Sequence, residues 1–185
     1  LQKEFGYTFA HPYNDDYVMA GQGTIGLEIM EQAPDADCVI VPIGGGGIAS
    51  GIAYAIKQIK PECTVIGVQA DEASAMVNSI RSGVLGTTAT ANTIADGCAV
   101  KAPGDKTFAV CKEYLDDVVS VSEEAIAIAM LALAEKGKVV AEGAGAMPTA
   151  AVMSGKVDAS KYKKIVCMVS GGNVDIGMQQ KLFTK

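Results

Sequence analysis

Four consecutive glycines are the residues of this chain that most clearly indicate a chemical function. They follow an apolar, β-branched run at residues 38–43 (CVIVPI), typical of a strand buried on both faces, and precede a helical pattern at residues 49–59. Glycine lets the backbone approach an anion closely, and the N–H groups and dipole at a helix start attract negative charge. The spacing predicts a phosphate-binding loop, and the alternative is a tight turn without a ligand. The loop consists of Gly44, Gly45, Gly46 and Gly47.

The same loop also fits a loose dinucleotide-binding pattern. Gly44, Gly46 and Ala49 match G-x-G-x-x-A, and Asp71 follows the next predicted strand, where such sites bind a ribose. A single match of this kind is a weak signal. A nicotinamide-dependent oxidoreductase therefore stays open as an alternative at this point.

Ser170 and Glu142 are the next candidates for a functional role. Ser170 begins an SGGN segment directly after the last predicted strand, and ligands of open α/β sheets bind at the carboxyl ends of strands. Its hydroxyl is suited to a ring nitrogen or a substrate oxygen; the alternative is a turn in which it bonds its own backbone. Glu142, between an apolar run and two glycines, is a candidate for proton transfer, or an ordinary acid at a helix start. Gly97 lies in a TIADG segment that by itself indicates only a turn.

Strand and helix signals alternate along the chain, which predicts an α/β fold with a doubly wound, mostly parallel sheet and helices on both faces. Ser122 is a predicted helix N-cap, followed by two glutamates in the first turn, and Pro148 is predicted near the start of a later helix. Residues 87–93 are the most loop-like stretch. The predicted strands are residues 8–10, 38–43, 64–68, 117–121 and 164–169, and the predicted helices are residues 25–30, 49–59, 74–81 and 122–137.

Composition excludes several classes of function. The chain has 185 residues, 49% of them hydrophobic, and a net charge of −6, which disfavours disorder and a nucleic-acid partner. Because no apolar segment approaches about 20 residues, we expect no membrane span. His11 is the only histidine, so zinc sites and Ser-His triads are poorly supported. The widely spaced cysteines are expected to be free, buried thiols of a cytoplasmic protein; they are Cys38, Cys63, Cys98, Cys111 and Cys167.

Five segments in order, AGQGTIGLEI, VPIGGGGIASGIA, TIADGCAV, VVAEGAGA and VSGGNVDI, resemble the fold-type II pyridoxal-phosphate enzymes. Within that group the chain most resembles the threonine dehydratases (threonine ammonia-lyases), with serine dehydratases and serine racemases close by. The resemblance extends from about His11 to Asp175, nearly the whole chain. It is specific for the group and less specific for the substrate.

The resemblance implies a role for each candidate residue. The glycine loop, with the N–H of Ile48, would bind the phosphate of pyridoxal 5'-phosphate, and Ser170 would bond the pyridine nitrogen. Gly97 and Glu142 would line the cofactor ring, and Glu142 would donate or accept protons near the ring or the leaving group. Since the neutral amide of Gln69 stands where serine racemases carry an acidic metal ligand, we expect no divalent metal site.

The resemblance also implies that residues 1–185 form a single α/β domain, the C-terminal portion of a catalytic unit. The Schiff-base lysine and the small domain are then expected upstream of Leu1, and the chain alone is expected to be inactive. Four lysines lie in no matching motif and are expected to be solvated: Lys57, Lys60, Lys101 and Lys106.

The implied activity is deamination of L-threonine, and of L-serine, in which the β-hydroxyl is eliminated and the enamine hydrolyses to a 2-oxo acid and ammonia, in isoleucine biosynthesis or threonine degradation. The implied partners are a small amino-acid substrate and further copies of the chain in a homo-oligomer. Three alternatives stay open: a serine racemase or β-replacing enzyme of the same fold, the nicotinamide-dependent oxidoreductase, and a non-catalytic module.

Overall fold

A four-stranded parallel sheet forms the centre of the computed structural model, which describes residues 1–183. The strand order is β3-β2-β1-β4, and every neighbouring pair is parallel. This arrangement confirms the α/β fold and parallel sheet predicted from the alternating strand and helix signals. The strands are β1 (Cys38–Pro42), β2 (Thr64–Ala70), β3 (Asp117–Val121) and β4 (Ile165–Cys167).

Helices cover both faces of the sheet. Residues of α2 to α5 share one hydrophobic cluster with one face, and residues of α6 to α8 share a second cluster with the other. The α-helices are α1 (Gln2–Phe5), α2 (Asp16–Gln32), α3 (Gly47–Ile59), α4 (Ala75–Ser82), α5 (Asp105–Tyr114), α6 (Glu123–Ala132), α7 (Gly143–Met153) and α8 (Ile176–Phe183). Short 3-10 helices cover Asp71–Ala73, Asp96–Cys98 and Ala159–Lys161, and a π-helical turn covers Leu133–Gly137.

The central strand β1 is buried on both faces, as its continuous apolar run predicts. Val39 and Val41 belong to the cluster with α2 to α5, whereas Cys38 and Ile40 belong to the cluster with α6 to α8. All four side chains are fully buried. Since successive side chains of a strand point to opposite faces, only a strand between two helical layers needs apolar residues at every position.

Helices α2 and α3 pack closely through glycines. A Cβ atom at Gly26 would lie 3.0 Å from the carbonyl oxygen of Ile52. A Cβ atom at Gly51 would meet the carbonyl oxygen of Met19 and lie 2.7 Å from the backbone nitrogen of Gly23. The absence of side chains at these positions lets the two helix backbones approach, which fixes α3 and the glycine loop at its start.

Lys57 and Asp37 fasten the amino-terminal ends of the strands. Lys57 Nζ donates to the carbonyls of Pro61 (3.0 Å) and Cys63 (2.7 Å) and pairs with Asp116 at 2.7 Å. Its side chain is only 14% exposed, so the expectation of a solvated lysine is wrong for this residue. Asp37 accepts the backbone N–H groups of the two residues before β4, at 2.8 and 2.9 Å, and these bonds lower the pKa of its carboxyl.

Several element boundaries differ from the sequence prediction. Residues 8–10 form no strand, because the described chain offers no neighbouring strand for them to pair with. Helix α2 begins at Asp16, well before the predicted residue 25. Asp15 caps it by accepting the N–H groups of Tyr17 and Val18. Pro148 is the sixth residue of α7 rather than lying in its first turn. Helices α5 and α8 were not predicted. Ser122 caps α6 as predicted, accepting the N–H of Ala125 at 3.2 Å.

All five cysteines are free, and four of them are buried, as expected. Within the described part of the chain, no helix is long and apolar enough to cross a membrane.

Candidate active site

A cavity of about 410 Å³ lies at the carboxyl ends of the neighbouring strands β1 and β4. The chain runs from β1 through β2 to β3 and then returns to the other side of β1, which opens a crevice where the direction of winding changes. Every residue that the resemblance assigns to the cofactor site lines this one cavity. They are Gly44, Gly45, Gly46, Gly47, Ile48, Gly97, Glu142 and Ser170.

The glycine loop forms one wall of the cavity and leads into α3. Gly46 is the N-cap residue of α3 and has φ 100° and ψ −5°, a left-handed conformation that favours glycine. Among residues 1–183, no group accepts a hydrogen bond from the amides of Gly44 through Ile48. A row of free N–H groups at the positive end of a helix dipole is suited to binding an anion.

Ser170 and Glu142 form a second wall of the cavity. Ser170 is half-buried and follows β4 by three residues. Glu142 is the N-cap residue of α7, but its side chain turns away from that helix, and Oε2 accepts the N–H of Asn173 at 3.0 Å. The N–H of Glu142 donates to the carbonyl of Gly171 at 3.0 Å. These two bonds fix the carboxylate beside the segment that carries Ser170.

The third wall comes from the short helix Asp96–Cys98. A Cβ atom at Gly97 would lie 3.3 Å from Glu142 Oε1, so the absence of a side chain at Gly97 keeps this part of the cavity open. The Cys98 thiol also lines the cavity, and burial, together with the negative charge of Glu142, raises its pKa to about 12. The thiol is therefore protonated at neutral pH and is a poor nucleophile.

Tyr13 is a cavity residue that the sequence reasoning did not single out. Its ring lies against Gly45, where any side chain would overlap it, and its hydroxyl donates to the carbonyl of Ala102 at 2.9 Å. His11 Nδ1 accepts the N–H of Asn14 at 2.9 Å and shapes the turn that carries Tyr13. Only the position of this segment next to the start of α2 could have drawn attention to it.

The cavity contains one charged side chain among the described residues, Glu142. None of the four lysines considered from the sequence lines it; Lys106, for example, pairs with Asp16 at 2.9 Å on the surface. An anion in the cavity would therefore be neutralised by the loop amides and the dipole of α3 rather than by a side-chain cation.

The residues considered for a ribose or a metal ion do not line this cavity. Asp71, the candidate ribose ligand, does not line the cavity. Gln69 is fully buried; its Oε1 accepts the N–H of Val77 at 2.9 Å and its Nε2 donates to the carbonyl of Gly44 at 3.4 Å. The described residues contain no group of three or more His, Cys, Asp or Glu side chains placed to hold a metal ion.

Pyridoxal phosphate fits the chemistry of these walls. The free amides suit its phosphate, and the Ser170 hydroxyl suits its pyridine nitrogen. Gly97 and Glu142 line the same cavity, and the absence of a side chain at Gly97 leaves its face open to a ring. The cavity volume lies within the range of ordinary small-molecule sites.

Comparison with known proteins gives the same picture. Residues 1–171 match the sequence family described as "Pyridoxal-phosphate dependent enzyme". The L-threonine ammonia-lyase of Thermotoga maritima is 51% identical over 185 residues, which are 100% of this chain and 46% of that protein. The chain therefore spans about half the length of the curated relatives it matches.

Solved structures agree in fold. Maize serine racemase superimposes with a TM-score of 0.92 at 39% identity, covering 98% of this chain and 56% of that one. The processed form of threonine deaminase isoform 2 from Solanum lycopersicum gives a TM-score of 0.89 at 34% identity, covering 98% of this chain and 53% of that one.

Proposed function

The chain belongs to the family of pyridoxal-phosphate dependent enzymes, and on that premise we propose that it is part of a threonine ammonia-lyase. The reaction is β-elimination: L-threonine, or L-serine, loses its β-hydroxyl as water, and the released enamine then takes up water and gives off ammonia to leave a 2-oxo acid. The relative from Thermotoga maritima, named for this activity and 51% identical over the whole chain, supports the substrate.

The chain's part in this reaction is to hold the cofactor. The amides of Gly44 through Gly47, with that of Ile48, bind the phosphate. The Ser170 hydroxyl bonds the pyridine nitrogen, and Gly97 lies along the ring. The observation that carries this assignment is that the row of free amides and Ser170 line one cavity of about 410 Å³.

Ser170 and Glu142 suit elimination. The cofactor, when bound, supplies a carbonyl group that condenses with the amino acid and a ring that withdraws electrons from its Cα. Because the Ser170 hydroxyl is neutral, it can bond an unprotonated ring nitrogen, whereas an aspartate would keep that nitrogen protonated. A less electron-withdrawing ring suffices where a hydroxyl leaves from Cβ. Glu142, fixed by the N–H of Asn173, holds or accepts a proton near the ring or the leaving group.

The direct test is a product assay with the natural full-length protein. Given pyridoxal phosphate and L-threonine, it should form 2-oxobutyrate and ammonia in equal amounts. The variant Ser170→Asp should keep the cofactor but lose most of this activity, while the exposed-surface variant Lys106→Met should match the wild type. Absence of 2-oxobutyrate with bound cofactor would refute the proposed reaction.

A serine racemase or β-replacing enzyme of the same fold is the second candidate. The likeness to maize serine racemase favours it, whereas the neutral Gln69 disfavours it, because both polar ends of this amide already have protein partners. D-serine or a thioether as the main product from the same sample would establish this candidate instead.

The catalytic lysine stays a prediction. We propose that it precedes Leu1, with the small domain, and that residues 1–185 alone do not turn over, since no described lysine lines the cavity. Borohydride reduction of the full-length protein with pyridoxal phosphate, followed by mass mapping, should label a lysine outside residues 1–185. A single specific label within them would contradict this placement.

Three further properties belong to the proposal. Five free cysteines favour a reducing compartment, which supports a cytoplasmic protein.

The exposed apolar side chains of Leu27, Tyr54 and Ile59 favour association of copies into a homo-oligomer, which analytical ultracentrifugation would detect. The reaction would serve isoleucine biosynthesis or threonine degradation, and growth of a deletion strain without isoleucine or on threonine would separate the two.

A further inference from the structure

The carbonyl groups of the glycine loop all have protein partners, in contrast to its amides. The carbonyl of Gly44 accepts from Gln69 Nε2 (3.4 Å), and that of Gly45 accepts from Thr107 Oγ1 (2.6 Å). Those of Gly46 and Gly47 accept from the N–H (2.8 Å) and the hydroxyl (3.0 Å) of Ser50 in α3. The polar groups of the loop are thus sorted, with carbonyls toward the protein and amides left free.

Each of these bonds fixes the direction of one amide. In a planar trans peptide, the carbonyl of one residue and the N–H of the next point in opposite directions. Holding the carbonyl of Gly44 therefore directs the N–H of Gly45, and holding the carbonyl of Gly45 directs the N–H of Gly46. The helix α3 provides the corresponding bonds for Gly47 and Ile48 through its own residue Ser50.

Thr107 and Gln69 come from outside the loop and its helix. Thr107 is in α5, 62 residues from Gly45, and Gln69 is in β2, 25 residues from Gly44. Both side chains are fully buried, and neither lines the cavity. The Thr107 oxygen also lies 3.2 Å from the carbonyl oxygen of Gly104, but its single proton serves the shorter bond to Gly45. Its Cβ would lie 2.8 Å from a Cβ at Gly46, so Thr107 both bonds the loop and packs against it.

We propose that Thr107 and Gln69 are positioning residues that turn the amides of Gly45 and Gly46 toward the cofactor phosphate, an inference that rests on the proposed function. They touch no ligand and act through the loop carbonyls. Without the Thr107 hydroxyl, the carbonyl of Gly45 keeps only the longer bond from the N–H of Gly104, at 3.4 Å. The peptide between Gly45 and Gly46 is then held less firmly, since glycine on both sides offers little resistance to rotation. The phosphate then loses one oriented donor, while the rest of the cofactor keeps its contacts.

The test compares binding of two probes, pyridoxal phosphate and pyridoxal, to the full-length protein by fluorescence titration. Both carry the same ring and aldehyde. The dissociation constant of pyridoxal divided by that of pyridoxal phosphate therefore isolates the contribution of the phosphate to binding. The variant Thr107→Val keeps the side-chain shape and removes the hydroxyl. It should weaken the binding of pyridoxal phosphate about tenfold and the binding of pyridoxal by less than about twofold, which lowers the ratio. Thr107→Ser, which restores the donor, should return the ratio to within about twofold of the wild type.

Ser79→Ala is the matched control, because the Ser79 hydroxyl is also buried and donates to a backbone carbonyl, that of Ala75 at 2.6 Å, away from the loop. Its ratio should equal that of the wild type. If Thr107→Val does not fold, Gln69→Met removes the donor to Gly44 and should lower the ratio in the same direction.

Three results would overturn the inference: equal weakening of both probes by Thr107→Val, failure of Thr107→Ser to restore the ratio, or a lowered ratio in Ser79→Ala. A wild-type protein that binds both probes equally would instead refute the phosphate site, and the proposed function with it.

Discussion

Gly46→Ala tests whether the glycine loop needs its conformation and its space. Gly46 has φ 100°, and a Cβ atom there would lie 2.7 Å from Met76 Cε and 2.8 Å from Thr107 Cβ. The left-handed conformation alone costs an alanine about 1–2 kcal/mol. Crowding in a packed core adds about 1–3 kcal/mol. The variant should therefore lose about 2–5 kcal/mol of unfolding free energy, since the two effects act together.

Gly83→Ala is the matched control. Gly83 has φ 75°, and the only atom within 4 Å of a Cβ there is Lys112 Nζ at 3.6 Å. This variant carries the left-handed strain without crowding and should lose only about 1–2 kcal/mol. It lies outside the cavity, so its affinity for pyridoxal phosphate should equal that of the wild type.

The assay is urea unfolding of the cofactor-free protein followed by titration with pyridoxal phosphate. Gly46→Ala should be less stable than Gly83→Ala by about 1–3 kcal/mol and should bind the cofactor more than about tenfold more weakly. Equal stability of the two variants would refute the crowding calculation. Unchanged cofactor affinity in Gly46→Ala would refute the assignment of this loop to the phosphate.

Three other predictions concern stability and reactivity. Lys57→Met should lower the unfolding free energy by about 2 kcal/mol in urea titrations, because two backbone carbonyls and the Asp116 carboxylate lose the donor that they share. The exposed Lys106→Met should change it by less than about 0.5 kcal/mol. The lowered pKa of Asp37 means that its ionised form stabilises the fold above the unfolded-state pKa of about 4. The melting temperature of wild type should exceed that of Asp37→Asn at pH 7, and the difference should vanish as the pH falls through the folded-state pKa. Since burial raises the thiol pKa of Cys98 and Cys111 to about 12, iodoacetamide at pH 8 should alkylate both at least about 100-fold more slowly in the folded than in the unfolded protein.

The sequence predicted the elements whose signals are local. The apolar run of β1, the glycines after it and the cap at Ser122 each depend on neighbouring residues, and all three are in the structure as predicted. The false strand at residues 8–10 has the apolar composition of a strand but no partner within the described chain. Composition can suggest a strand, but hydrogen bonding to a neighbour decides whether one forms.

The difference between local signals and contacts across the fold also explains which site residues were predicted. The residues lining the cavity belong to motifs that follow strands, and parallel strands bring such segments to one edge of the sheet. Thr107 and Tyr13 were missed because they contact the loop across long separations, 62 residues in the case of Thr107. Lys57 was expected to be solvated because lysines usually are. Its partners include backbone carbonyls, and the types of the neighbouring residues do not show that these carbonyls lie within its reach.

A crystal structure of the full-length protein with pyridoxal phosphate tests the central claim most directly. We predict the phosphate within hydrogen-bonding distance of amides of the segment from Gly44 to Ile48, and the pyridine nitrogen within hydrogen-bonding distance of Ser170 Oγ. A phosphate bound away from the glycine loop, or a ring nitrogen facing another group, would contradict the account.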